Sequence, residues 1–144
     1  MARYTHTIDK KGRVIVPARL RENLTGTLHV TGNLDPGYLT LYTDEQFNAV
    51  RSQLLQLSGT DPDVRRFQRF IIGEAVTCEV DSQGRISVSS NLWEMIGVEP
   101  GAEICFIDMI DKVEICSEEF YQKQKAHEDP IAGLDLSKFD VKGL

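Results

Sequence analysis

The chain is short of cysteine, of long apolar runs and of catalytic motifs, and each shortage removes a class of protein. Its three cysteines, Cys78, Cys105 and Cys116, are an odd number with no CxxC spacing. Neither a disulfide framework nor a zinc ribbon is written into such a pattern. Cys105 and Cys116 fall in the strand-like runs ICFI and EIC and read as small core residues. A zinc site shared with His6, His29 or His127 is the alternative, and no ligand spacing supports it. No apolar run approaches the roughly 18 residues of a membrane helix, and the opening MARYTHTIDKKG has no apolar core of a signal peptide. A cytoplasmic protein without membrane contact is expected. GxSxG, HExxH and P-loop patterns are all absent, so the expectation is no enzyme, no cofactor and no small-molecule substrate.

Positive charge is scarce overall but not locally. The net charge is −6, yet residues 1–21 hold Arg3, Lys10, Lys11, Arg13, Arg19 and Arg21 against Asp9 alone. That segment carries +5 and the other 123 residues carry −11. A basic patch on an acidic body can still hold phosphate, because charges are screened beyond about 8 Å at physiological salt. A merely solvated basic edge is the plainer reading of charge alone.

What the sequence does have is a repeat. DKKGRVIVPARLR, from Asp9 to Arg21, returns as DSQGRISVSSNLW, from Asp81 to Trp93, at an offset of 72 residues. Each motif leads into a helix-like stretch, ARLRENL (18–24) and SNLWEMI (90–96). Pro17 suits the first helical position of one, and Ser89 or Ser90 the cap of the other. Two strand-like runs follow in each half, TLHVTG with YLTLY and AEICFID with KVEIC. Each half then reaches a helix start, Thr43-Asp44-Glu45-Gln46 and Ser117-Glu118-Glu119-Phe120, and Thr43 with Gln46 spells a capping box. Phe47, Val50, Leu54 and Leu57 share one helix face. A second helix starts at Asp61-Pro62, with Val64, Phe67 and Ile71 towards the core. Each repeat has only about 50 residues, too few to bury a good core alone. The two are expected to interleave around a pseudo-two-fold axis as one β-rich domain, with helices at about 43–57 and 61–73 outside.

The repeated D-x-x-G-R turn has its own chemistry. Asp9 can accept from backbone N–H groups two residues on, or it can pair with Arg13 and orient it. Gly12 permits a positive φ. Arg13 then leaves a rigid turn at the start of a strand, where a planar fork suits a phosphate or the O6/N7 edge of guanine. A surface ion pair that only closes the turn is the plain alternative. Lys10 and Lys11 beside Arg13 favour an anion-binding surface for the first copy.

DKKGRVIVPARLR, DSQGRISVSSNLW and the linker DVRRFQRFIIGEA, in a chain of this length, resemble the MraZ family of bacterial transcriptional regulators, and the resemblance covers nearly the whole chain. It implies an α+β, mainly β fold: two tandem AbrB-like repeats forming one pseudo-two-fold swapped-hairpin β-barrel with peripheral helices. The repeats would span 5–47 and 76–119, with a helical linker at 48–75 and a polar C-terminal tail at 127–144. It implies double-stranded DNA as partner, a ring-shaped homo-oligomer (an octamer or larger), and a place in the cytoplasm and nucleoid. It also implies regulation, usually repression, of the protein's own cell-division and cell-wall gene cluster through repeated DNA boxes. The family's DNA-contacting arginine falls on Arg13, with Asp9 first in the motif; Asp81 and Arg85 match in the second copy. Lys10, Lys11, Arg3 and Arg19 complete the DNA-binding candidates beside Arg13 and Arg85, and Asp9, Gly12, Asp81 and Gly84 the motif turns. One departure stands out: the proline at Pro17 is a serine, Ser89, in the second copy.

Two rival readings come from other classes. An aspartate in each of two symmetric turns resembles an aspartic-protease dyad. Here, however, glycine comes third after the aspartate rather than second, and an arginine beside each carboxylate would lower its pKa and prevent proton sharing. A pure interaction protein, using its acidic body to hold another protein, is the other. AbrB-type antitoxins, a related group, carry one copy of the module and a toxin-binding tail.

Overall fold

The computed structural model describes residues 2–127 and 133–143. Part of the expected polar tail, 128–132 and 144, therefore lies outside the described residues. The first repeat contributes β1 (Arg3–Thr7), β2 (Arg13–Ile15), α1 (Ala18–Arg21), β3 (Leu28–Gly32), β4 (Leu39–Thr43) and α2 (Asp44–Leu55). A linker of α3 (Pro62–Gln68) and one π-helical turn (Arg69–Gly73) follows. The second repeat contributes β5 (Val76–Cys78), β6 (Arg85–Ser87), α4 (Ser90–Met95), β7 (Glu103–Asp108), β8 (Val113–Ser117) and α5 (Glu118–His127).

The strands pair across the repeats. Six form one antiparallel sheet in the order β1-β7-β8-β4-β3-β5, and β2 with β6 makes a separate two-stranded ribbon. The first strand of each repeat thus adds to the other repeat's hairpin. The registers correspond: Tyr4 stands opposite Phe106 as Val76 stands opposite Val30, and His6 opposite Ile104 as Cys78 opposite Leu28. In the ribbon Val14 pairs with Ile86, its own counterpart at the 72-residue offset, so the pseudo-two-fold passes between them.

Alternation decides what is buried. Leu28 and Val30, Leu39 and Leu41, Ile104 and Phe106, and Val113 and Ile115 are all buried and line one sheet face. Val14, Val16, Ile86 and Val88 close over them from the ribbon, with Leu20 of α1 and Leu92 and Trp93 of α4 at the sides. These side chains from both repeats form one cluster. Each large one contributes about 1.5–3 kcal/mol of burial, which neither half could collect alone. On the opposite sheet face α2 and the linker build a second cluster around Phe47, Leu54 and Ile71. There His29 stacks on Phe47 with its Nε2 2.7 Å from Asp44 Oδ1, and the Thr31 hydroxyl donates to the Ile71 carbonyl.

Several local expectations need adjusting. The described strands do not close into a barrel: β1 and β5 are sheet edges. The Asp9 and Asp81 turns lift the chain off those edge strands, so β2 and β6 find each other rather than continuing the ladder. The stretch 18–24 is helical only to Arg21, because Leu24 turns inward and is buried. Pro17 sits at the cap position, just before α1. Ser89 holds the cap position of α4 without a side-chain hydrogen bond. The Thr43–Gln46 capping box forms reciprocally, but Leu57 lies beyond the end of α2 and is exposed.

A fragment ending at Gly59 lacks the β7 and β6 partners of β1 and β2. It is expected to show no cooperative unfolding transition by circular dichroism in urea. A two-state transition of that monomeric fragment would contradict the shared-core account.

Candidate nucleic-acid interface

The two D-x-x-G-R turns are built alike. In the first, Asp9 Oδ1 accepts from the backbone N–H of Lys11 at 2.8 Å and of Arg13 at 2.9 Å. Asp9 Oδ2 accepts from Arg13 Nε at 2.7 Å. In the second, Asp81 Oδ1 accepts from the N–H groups of Gln83 and Arg85, both at 2.9 Å, and Oδ2 from Arg85 Nε, also at 2.9 Å. Both readings of the aspartate therefore hold together, one carboxylate oxygen serving each. Gly12 and Gly84 share a φ of 78°, a left-handed conformation that a side chain would strain.

The same contacts depress both carboxyls below the ordinary 3.8, through the arginine backbone N–H first and the arginine side chain after it. Each carboxylate stays charged beside its own arginine, so no proton-sharing dyad is assembled. With Nε committed, the Nη groups of Arg13 and Arg85 make no hydrogen bond among the described residues. They remain available as two-pronged donors, held in direction by the aspartate.

The ribbon places the two arginines side by side. Val14 and Ile86 point inward, so Arg13, Ile15, Arg85 and Ser87 point outward. Arg13 is opposite Ser87, and Ile15 opposite Arg85. Arg13 and Arg85 are thus diagonal neighbours, about 7–8 Å apart at Cα. Ile15, 40% exposed between them, was not singled out in the sequence; strict alternation from Val14 is the signal that marks it. Lys10 and Lys11 are exposed at the tip of the first turn, where the second has Ser82 and Gln83.

Each turn also rests on the other repeat. Trp93 Nε1 donates to the Gly12 carbonyl at 3.0 Å, and the Val88 N–H donates to the same oxygen. The Val16 N–H donates to the Gly84 carbonyl at 2.8 Å, and the guanidinium of Arg21 lies against Gly84. Neither Trp93 nor Arg21 was among the expected site residues, though both occupy the last place of the repeated motif.

Two other candidates have neighbours of their own. Arg3 stands at the far end of β1, on the order of 20 Å along the chain from Asp9 at strand rise. Its Nη1 bonds both oxygens of Glu118, at 2.8 and 2.7 Å, and its guanidinium caps the Tyr121 ring at 4.6 Å. Arg19 is exposed and lines a cleft of about 560 Å³ with Tyr4, Asp108, Ile110 and Lys112. The cysteines are free thiols, with Cys105 directly opposite Cys116 in the β7–β8 ladder. No group of three His, Cys, Asp or Glu side chains that could hold a metal gathers among the described residues. None of the described helices is long and apolar enough to cross a membrane.

Comparison with known proteins matches this arrangement to one family. The family model of MraZ, an antitoxin-like protein, matches residues 1–70 and again residues 71–135. The chain is 40% identical over 129 residues to the transcriptional regulator MraZ of Thermoanaerobacter sp., covering 90% of this chain and 88% of that one. It is 42% identical over 123 residues to the protein of the same name from Heliobacterium modesticaldum, covering 85% and 84%. The Acetivibrio thermocellus protein of that name is 34% identical over 141 residues, covering 98% and 96%.

The depressed aspartate pKa values give a pH dependence. A carboxyl whose folded pKa lies below its unfolded value adds stability above the unfolded pKa, and that stability is lost as pH falls through the folded value. The urea midpoint of the parent is expected to decline below about pH 4. The Asp9→Asn/Asp81→Asn double variant is expected to decline less steeply over the same range. Equal slopes from the two proteins in urea titrations between about pH 5 and 2 would show that the turns carry no such linkage.

Proposed function

The chain belongs to the MraZ family, and we propose that it is a sequence-specific, DNA-binding transcriptional regulator whose β2–β6 ribbon reads duplex DNA. One observation carries this reading: Arg13 is oriented by Asp9 and presents its outer nitrogens beside Lys10 and Lys11. The major groove, about 12 Å wide, admits a two-stranded β-ribbon. An arginine fork aimed outward from such a ribbon suits guanine O6/N7, and the flanking lysines suit the phosphates on either side. Ile15, exposed between the arginines, offers an apolar contact to a thymine methyl. The first turn reads sequence, and the second adds weaker contacts.

A single ribbon is not enough. One or two forks supply about 1–3 kcal/mol each, whereas discrimination against a genome needs roughly 4–10 kcal/mol. A ring-shaped homo-oligomer (an octamer or larger) that engages repeated boxes would supply the rest through effective concentration. The boxes would recur at about 10 bp, one helical turn, to face the same side. The regulated genes would be the protein's own cell-division and cell-wall cluster, with repression as the outcome and the nucleoid as the place of action.

Arg13→Ala is expected to abolish operator preference while leaving the fold intact by circular dichroism. Lys10→Ala or Lys11→Ala should weaken operator and scrambled duplex alike and flatten the dependence of log K on log[salt] by about 0.9 per lost phosphate contact. Arg85→Ala should do less to operator preference than Arg13→Ala. Binding isotherms at several salt concentrations decide this: a folded Arg13→Ala protein that binds operator like the parent removes the reading. A salt-insensitive interaction would favour a protein partner instead. Light scattering is expected to show a closed oligomer at micromolar concentration, and a monomer with undiminished operator binding would refute the ring.

A further inference from the structure

Two thiols lie on the sheet face away from the ribbon, and neither apolar cluster uses them. Cys105 and Cys116 are both fully buried, yet neither belongs to the cluster under the ribbon or to the one around Phe47. Ile104, Phe106 and Ile115 point into the main core, so alternation turns Cys105 and Cys116 to the other face, beside the start of α5. We propose that Cys105 and Cys116 are a modification site, a dithiol that hydrogen peroxide oxidises to a reversible disulfide under the Arg3–Glu118 ion pair. The proposal stands independently of the DNA-binding reading.

The ladder places the two sulfurs for this bond. Cys105 stands directly opposite Cys116 in the β7–β8 pair. Directly opposed residues of an antiparallel pair have Cα atoms about 4.5–5.5 Å apart. A disulfide spans about 4.4–6.8 Å between Cα atoms, so it can form with both strands in their present register. Packing alone does not require thiols here. The corresponding places of the first repeat hold His29 and Tyr42, also directly opposed.

The surroundings favour reaction at Cys105. Arg3 Nη1 donates to its Sγ at 3.8 Å and to both oxygens of Glu118. The Cys116 thiol donates to Cys105 as well, and together with the Arg3 guanidinium it holds Cys105 below the ordinary thiol range. Giving that same hydrogen bond holds Cys116 above the range. Cys105 is thus the nucleophile and Cys116 the resolving thiol. Cys78 stands opposite Leu28 instead, and burial pushes its thiol up to about 11. Solvent is one side chain away from Cys105. The Arg3 and Glu118 side chains are 34% and 16% exposed, and β1 is an edge strand, so a swing of Arg3 uncovers the thiol without breaking the sheet. The Cys105 thiolate attacks one peroxide oxygen: an S–O bond forms, the O–O bond breaks and hydroxide leaves. That hydroxide takes the Cys116 proton and becomes water. The Cys116 thiolate attacks the Cys105 sulfur: the S–S bond forms, the S–O bond breaks, and the departing hydroxide takes the proton Cys105 first released. Two thiols lose two electrons, and one peroxide becomes two waters.

The folded full chain is exposed to hydrogen peroxide, the remaining thiols are alkylated after unfolding, and the peptides are mapped by mass spectrometry. The expected product is a Cys105–Cys116 bridge within one chain, with Cys78 still alkylated, and dithiothreitol should reverse it. Cys116→Ser should stop at a sulfenic acid on Cys105, trapped by dimedone; Cys116→Ala serves if the serine variant does not fold. Arg3→Gln should slow the oxidation several-fold and Arg3→Lys restore most of the rate, with circular dichroism confirming both folds. A folded parent that keeps all three thiols free overturns the proposal, as does bridging between chains or earlier oxidation of Cys78. An Arg3→Gln rate equal to or above the parent's removes Arg3 as the activating cation.

Discussion

The antiparallel pairing of β2 with β6 is the contact on which the rest of the molecule depends. It joins residues 72 positions apart at the Val14–Ile86 pair. Burying those two side chains closes the core over the sheet, and strand alternation then leaves no choice about the neighbours. Arg13, Ile15, Arg85 and Ser87 must face outward. One short ribbon therefore seals the hydrophobic cluster, sets two arginines on a common face, and rests each turn on the opposite repeat. The same hydrogen-bonded residues turn their inward side chains to the core and their outward ones to the exposed face.

On that ribbon the aspartates act as positioning residues. An exposed ion pair adds little to stability. Its effect here is directional: with one oxygen on the turn backbone and the other on Nε, the carboxylate ties the guanidinium plane to the backbone of its own turn. An arginine on a flexible stem would lose that freedom on binding, whereas one already restrained loses less. The same logic explains the support from Trp93 and Val88 on the Gly12 carbonyl. A turn fixed from behind can hold a side chain steadily in front.

The two halves share a scaffold but not a surface. Lys10 and Lys11 answer to Ser82 and Gln83, and Arg21 answers to Trp93. The lysine differences cost the core nothing, because they fall on exposed turn positions, whereas Trp93 is itself a buried core residue. They divide the ribbon into a strongly basic end and a weakly basic one. The remaining chain is acidic, and at physiological salt its field fades within about 8 Å. It therefore does not cancel the local positive charge of Lys10, Lys11 and Arg13.

Much of this was legible in the chain itself. The D-x-x-G-R turns, their positive-φ glycines, the Thr43–Gln46 capping box and the in-out alternation of the strands all follow from residues a few positions apart. Local chemistry of that range is what a sequence states directly. The need for two repeats to share one core was legible too, from size alone. The tertiary structure decided everything that depends on distant partners. Arg3 and Glu118 are 115 positions apart, and Trp93 and Gly12 are 81 apart. That Arg3 is paired with Glu118, that Arg19 lines another cleft, that Arg21 lies against Gly84, and that the sheet stays open could not be read from periodicity. Periodicity says which face of a strand or helix is apolar; only packing says what that face, and the one behind it, will meet.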